Sequence, residues 1–129
     1  DREIDGEAVY SIMAGMCEAW GAESMGQYGY SAVGAVVGAT YPAQLAELRK
    51  KAPHTFFLVP GYGAQGGTAA DVAGAFDEKG LGAIVNSSRA ILTAWKKQNV
   101  PGEEYAAAAR NEAIRMRDDI TQYIPKITL

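Results

Sequence analysis

Apolar residues recur along the chain with two different spacings. Over residues 7–19 they lie three and four positions apart, a pattern that predicts an amphipathic helix. Three later runs, at 32–38, 55–59 and 82–86, are apolar without alternation. Because the strands of a parallel sheet are buried on both faces, continuous apolar runs of this length predict parallel strands.

A helix is predicted after each of these strands. The first has Thr40 or Tyr41 at its cap and Pro42 in its first turn, and it ends at the basic residues 49–51, which suit the negative end of the helix dipole. The second covers 68 to about 76, the third continues through 91–95, and a closing helix covers 103 to about 123. Strands that alternate with helices predict an α/β fold with right-handed parallel crossovers.

The 129 residues show no break in composition, so residues 1–129 are predicted to form a single domain. That domain is expected to be partial. A sheet of three parallel strands leaves its edges uncovered, and a closed eight-stranded barrel needs five more strands. The pattern therefore predicts that further strands complete the sheet.

Composition excludes several classes of function. The formal net charge is −3, which argues against nucleic-acid binding and against a cationic membrane patch. A single cysteine, Cys17, indicates a reducing compartment such as the cytoplasm, and one cysteine with one histidine is too few for a Cys/His zinc site. No apolar run approaches the roughly 20 residues that a membrane span needs.

A glycine-rich segment, residues 60–67, lies between the second predicted strand and its helix. Glycines allow positive φ and let backbone N–H groups turn toward an anion. The third strand is followed by Ser88 and Arg89, and a guanidinium offers a planar fork to phosphate oxygens. Because these two neighbouring strand ends point at the same region, they predict a phosphate site.

The same glycines allow a second interpretation. Gly61, Gly63 and Gly66 form a G-x-G-x-x-G pattern between a strand and a helix, which is typical of dinucleotide binding. However, the pattern occurs in mid-chain, Pro60 precedes it, and no acidic residue ends the third strand. These features favour a phosphate site over a dinucleotide site.

Three segments strongly resemble the orotidine 5′-phosphate decarboxylase family, and most of all its longer bacterial branch. They are Val-Val-Gly-Ala-Thr at 36–40, Leu-Val-Pro-Gly-Tyr-Gly-Ala-Gln-Gly-Gly at 58–67, and Ala-Ile-Val-Asn-Ser-Ser-Arg-Ala-Ile at 83–91. The resemblance is in register from about residue 20 to 95. It implies that the chain is the C-terminal portion, about strands 6–8 with their helices, of a (β/α)8 TIM barrel.

The resemblance also implies an activity and a site. Members of the family remove CO₂ from orotidine 5′-phosphate to give UMP in pyrimidine biosynthesis, with neither a metal nor an organic cofactor. By position, Gln65 and Arg89 match the family's phosphate-binding residues. Ser88 and Arg89 would supply backbone N–H groups to the phosphate, and Pro60 would line the pocket near the pyrimidine.

The chain departs from the family at the catalytic residues. The family's Asp-x-Lys-x-x-Asp motif, of which one aspartate comes from the partner subunit of a homodimer, does not occur in this sequence. Residues 77–79, Asp-Glu-Lys, are expected in a helix-to-strand turn at the opposite end of the barrel, as solvated surface. No catalytic residue is therefore predicted in the chain, and the missing N-terminal part of the barrel is the expected partner.

Two other functions stay open on the sequence. One is a different phosphate-binding barrel, such as a sugar-phosphate aldolase or synthase, and the other is a half-barrel that only assembles with copies of itself. Among the remaining residues, Tyr30 is expected to contact either a partner subunit or its own domain. Asp118 and Asp119 lack the spacing of a metal site, so they are expected on a solvated helix face.

Overall fold

The computed structural model describes residues 2–63 and 66–127. Within these residues the strands are β1 (Glu3–Ile4), β2 (Glu7–Ala8), β3 (Gly34–Val36), β4 (Phe56–Val59) and β5 (Ala83–Val85). The α-helices are α1 (Val9–Gly21), α2 (Pro42–Lys51), α3 (Ala69–Ala73), α4 (Ser88–Leu92), α5 (Ala94–Lys97) and α6 (Tyr105–Ile120), and a short 3-10 helix (Gly102–Glu104) precedes α6. None of the helices described here has the length and apolar character that a bilayer crossing requires.

Strands β3, β4 and β5 form a parallel sheet in that order, as the sequence predicts. In the register of this sheet, Leu58 pairs with Val36 on one side and with Ile84 on the other. Helix α2 connects β3 to β4, and α3 connects β4 to β5. The antiparallel hairpin of β1 and β2 was not predicted, because two-residue strands are too short to show a periodic pattern.

Helices cover one face of the sheet, and its other face is open. In β4, Phe57 and Val59 are fully buried, whereas Phe56 and Leu58 are 39% and 40% exposed. Val36 and Ile84, the partners of Leu58 in the register, are exposed as well, so an apolar row crosses the three strands. The strands were predicted to be buried on both faces. Among the described residues, only the face that the helices cover is buried.

The helices begin and end near the predicted positions, with one exception. Tyr41 is the N-cap of α2 and Pro42 its first residue. The helix predicted through residue 95 instead divides at Thr93 into α4 and α5. There the Thr93 hydroxyl donates to the carbonyl of Arg89 at 2.7 Å, a bond from a side chain to the preceding turn that bends helices.

Arg49, in the basic end of α2, is buried rather than solvated. Its exposure is 7%, and the centre of its guanidinium lies 4.0 Å from the centre of the Phe57 ring. The guanidinium donates to four backbone carbonyls near the N-terminal ends of β4 and β5, those of Ala52, Thr55, Ala75 and Gly82. Because one planar fork satisfies all four acceptors, the charge can be buried here.

Tyr30 packs on its own domain. Its hydroxyl donates to Asp77 at 2.7 Å, and its ring meets Phe56 edge to face at 5.6 Å between centres. Asp77 also accepts from the backbone N–H groups of Lys79 and Leu81, each at 2.8 Å. Burial alone would raise the pKa of Asp77, but these hydrogen bonds lower it below its ordinary value. Asp77 is therefore part of a structured turn and not a purely solvated residue.

Candidate phosphate-binding site

The candidate site lies at the C-terminal ends of β4 and β5. These strands are neighbours and parallel, so the segments that follow them, 60–63 and 86–89, emerge at one edge of the sheet. Together the two segments line a cavity of about 110 Å³. Its lining residues are Pro60, Gly61, Tyr62, Asn86, Ser87, Ser88 and Arg89.

The glycine-rich segment owes its shape to its glycines. Gly61, Gly63 and Gly66 have φ angles of 108°, 76° and 88°, which disfavour any residue with a side chain. The segment closes on itself through bonds from Gly63 N–H to the carbonyl of Gly67 at 2.8 Å and from Gly66 N–H to the carbonyl of Gly63 at 2.9 Å. The amides of Gly63 and Gly66 donate to carbonyls of the loop itself and are not free to donate to an anion, which differs from the expectation that the glycine amides face an anion.

Three of the four predicted site residues meet in the cavity. Pro60, Ser88 and Arg89 all line it, and Gln65 lies outside the described residues. The Arg89 side chain is exposed and makes no hydrogen bond or ion pair with another described residue. Ser88 and Arg89 occupy the first two positions of α4, where backbone N–H groups have no acceptor within the helix. These donors are therefore available to an anion.

Asn86 adds a polar group that the sequence did not single out. Its side-chain oxygen is buried and accepts no hydrogen bond from the described residues. A buried acceptor without a donor is unfavourable, and a ligand hydroxyl or amide could supply that donor. Asn86 lines the same cavity as Arg89, so the site holds an acceptor beside its cation.

A second cavity of about 400 Å³ adjoins the first and shares Tyr62, Ser87 and Arg89 with it. It adds two further cations, Lys97 from α5 and Arg115 from α6. The acidic residue on its wall is Glu112, whose pKa is lowered by its hydrogen bonds to Arg115. Positive charge thus predominates around Arg89, which favours a phosphate there.

The loop is anchored by contacts that sequence reasoning missed. The Ser87 hydroxyl donates to the carbonyl of Tyr62 at 3.2 Å, and the Tyr62 hydroxyl donates to Asp119 at 2.6 Å. Asp118 is exposed as expected, but Asp119 faces the loop and is partly buried. Tyr62 and Asp119 are 57 residues apart, so no local pattern could have shown their contact.

Outside the candidate site we looked for other cavities and for groups of metal-binding side chains. An apolar cavity of about 490 Å³ lies between α1, α2 and the edge strand β3, and no charged residue lines it. Within residues 2–63 and 66–127, no three histidine, cysteine, aspartate or glutamate side chains are grouped so that they could hold a metal ion.

The sequence is similar to known proteins over most of its length. It is 50% identical to orotidine 5′-phosphate decarboxylase of Clostridium tetani over 120 residues, which cover 93% of this chain and 41% of that protein. It is also 50% identical to orotidine 5′-phosphate decarboxylase of Rhodopirellula baltica over 109 residues, covering 84% of this chain and 34% of that one. The chain therefore spans about two fifths or less of the length of these relatives. No family model matches it.

Solved structures show the same similarity. The chain matches the UMP synthase of Leishmania donovani with a TM-score of 0.66 and 31% identity, over 92% of this chain and 24% of that one. It matches the OMP decarboxylase of Leishmania donovani with a TM-score of 0.60 and 26% identity, over 93% and 42% of the two chains. The resemblance predicted from the sequence is confirmed, and so is the fold class: the chain forms part of a (β/α)8 barrel.

Proposed function

Because the chain is similar to orotidine 5′-phosphate decarboxylases over about nine tenths of its length, we propose that it supplies the phosphate-binding part of such an enzyme. The enzyme would convert orotidine 5′-phosphate to UMP and CO₂. The proposal rests on one observation: Pro60, Ser88 and Arg89 line the same cavity at the ends of β4 and β5. The exposed guanidinium of Arg89, without a partner among the described residues, is the group that we expect to bind the phosphate.

In this proposal Arg89 offers two parallel N–H donors to the phosphate oxygens, and the backbone N–H groups of Ser88 and Arg89 add further donors. Gln65 contributes from the glycine-rich loop by its similarity to the family's phosphate-binding glutamine. Pro60 lines the wall on the side of the pyrimidine. The phosphate lies far from the bond that breaks, so its binding energy serves to close and order the site around the pyrimidine.

The bond-breaking step needs residues that are absent from this sequence. When the bond between the ring and the carboxylate breaks, its electron pair stays on the pyrimidine carbon and CO₂ leaves. An ammonium group stabilises that carbanion and then protonates it. We assign this group to the Asp-x-Lys-x-x-Asp motif of an N-terminal part of the barrel, which would cover the open apolar face formed by Val36, Leu58 and Ile84.

The remaining features of the enzyme follow from the same similarity. We propose that residues 1–129 form one part of a single barrel domain that works in a homodimer without a metal or an organic cofactor. The cytoplasm is the proposed location, because Cys17 has no second cysteine in the sequence with which to form a disulfide.

Ligand binding by the 129-residue chain tests the proposal. We expect UMP to bind more tightly than uridine, because only UMP carries the phosphate. Arg89→Ala should weaken UMP binding by about tenfold or more, as expected for loss of a charge-assisted hydrogen bond, and should leave uridine binding unchanged. Arg117→Ala is the matched control, because Arg117 is an exposed arginine that pairs with Asp118 on α6. Equal losses for both ligands would show that Arg89 is structural.

Activity gives a second test. The chain alone should not decarboxylate orotidine 5′-phosphate, and mixing it with the N-terminal portion of a related decarboxylase should restore turnover. Turnover by the highly purified chain alone would contradict the assignment of the catalytic residues. Binding of sugar phosphates as tight as that of UMP would instead favour a sugar-phosphate enzyme.

A further inference from the structure

Tyr62 lies in a loop, yet it is buried and hydrogen-bonded through both its side chain and its backbone. It lies between Gly61 and Gly63 and is 5% exposed. Its hydroxyl donates to Asp119 on α6 at 2.6 Å, and its backbone carbonyl accepts the Ser87 hydroxyl at 3.2 Å. Both its side chain and its backbone are therefore fixed, one to the last helix and the other to the end of β5.

The surface of α6 that meets Tyr62 is a polar stripe, defined here as Glu112, Arg115 and Asp119. Spacings of three and four residues place these side chains on one face of the helix. Arg115 donates to Glu112 through two nitrogens, at 2.9 and 2.7 Å, and Asp119 accepts from the Tyr62 hydroxyl. The stripe thus holds one internal ion pair and one carboxylate that accepts from Tyr62.

The anchored residue is next to the bonds that close the loop. The amide of Gly63, the residue after Tyr62, donates to the carbonyl of Gly67, and the amide of Gly67 donates to the carbonyl of Gly61 at 3.1 Å. If Tyr62 shifts, both of these bonds are displaced. A phenylalanine would fill the same apolar space, so the hydroxyl and its acceptor contribute position and not packing.

We propose that Tyr62 and Asp119 are positioning residues that couple α6 to the glycine-rich loop and hold it in the form that binds the phosphate. The proposal rests on the proposed function for its ligand and on the hydrogen-bond network for its mechanism. Tyr62 does not itself contact the phosphate in this scheme. It fixes the neighbouring residues Gly61 and Gly63, which line the same two cavities as Arg89.

Amide hydrogen exchange in the 129-residue chain tests the positioning role without any ligand. Tyr62→Phe and Asp119→Ala should each speed exchange at the Gly63 and Gly67 amides by about tenfold and leave β4 amides unchanged. Asp119→Asn keeps an acceptor oxygen and should recover most of the protection. Asp118→Ala is the matched control, because this neighbouring aspartate faces solvent. Unchanged exchange at the loop in Tyr62→Phe and Asp119→Ala would overturn the proposal.

Binding of UMP and uridine to the same variants supplies the second measurement. Tyr62→Phe and Asp119→Ala should lower the affinity for UMP several-fold and leave that for uridine as it was. A general loss of folded protein would weaken both ligands equally and would overturn the positioning role. Faster loop exchange in a chain that binds UMP no better than uridine would support the coupling of α6 to the loop and refute the proposed function.

Discussion

Replacing Arg49 tests how much a buried guanidinium that bonds four carbonyls stabilises the fold. Arg49→Met keeps an unbranched apolar side chain but removes the guanidinium, and with it the stacking on the Phe57 ring. Four carbonyl oxygens then lose a donor in a buried place. Two of them retain a second donor, since Ala52 accepts from the backbone N–H of Thr55 and Gly82 from that of Phe57.

The expected loss follows from this count. A buried acceptor that loses its donor costs about 1–3 kcal/mol, and because two of the four carbonyls keep a second donor we expect a total loss of ~3 kcal/mol. Arg49→Lys should cost about 2 kcal/mol, because an ammonium has three donors and cannot reach four carbonyls in one plane. Lys50→Met is the matched control, because Lys50 is exposed on the same helix, and it should change the free energy of unfolding by less than about 0.5 kcal/mol.

Urea unfolding of the 129-residue chain, followed by circular dichroism, measures these differences. The midpoint should fall in the order of the control, Arg49→Lys and Arg49→Met, with an unchanged slope. If Arg49→Met unfolds at the same urea concentration as Lys50→Met, the four hydrogen bonds contribute nothing net and the reasoning is wrong.

Two further predictions concern the hydrogen bond between Tyr30 and Asp77 and the close backbone contact between Gly67 and Gly61. Tyr30→Phe should lower the free energy of unfolding by about 1 kcal/mol at neutral pH, by removing the hydrogen bond to Asp77. Because the folded pKa of Asp77 is lowered, this contribution is present above the ordinary pKa of 3.8 and is lost as the pH falls through the folded pKa. Unfolding curves of the two chains should therefore converge in acid, and a difference that is constant with pH would contradict this. Gly67→Ala should weaken UMP binding, because its Cβ would lie 2.7 Å from the carbonyl oxygen of Gly61. Gly102→Ala is the control, because its Cβ would have no atom within 4 Å. It should leave the affinity for UMP, measured by calorimetry, unchanged.

The order of strands and loops along the chain was sufficient to predict which segments line the candidate site. Continuous apolar runs predicted three parallel strands, and parallel neighbours bring their C-terminal ends to one edge of the sheet. For that reason the order of residues along the chain was enough to place Pro60, Ser88 and Arg89 together, and all three do line one cavity. The similarity to a known family then gave the cavity its expected ligand.

Which polar residues are buried, and what they contact, depends on packing between elements that are distant in the sequence. Arg49 is buried beside the exposed Lys50, and Asp119 is partly buried beside the exposed Asp118. In each pair the less exposed member is bonded to residues on other elements. Periodicity along a chain reports which face a residue occupies, but it does not report the distant partner against which that face packs. Tyr62 and Asp119 meet because α6 folds back over the end of the sheet, and that depends on packing between elements far apart in the sequence.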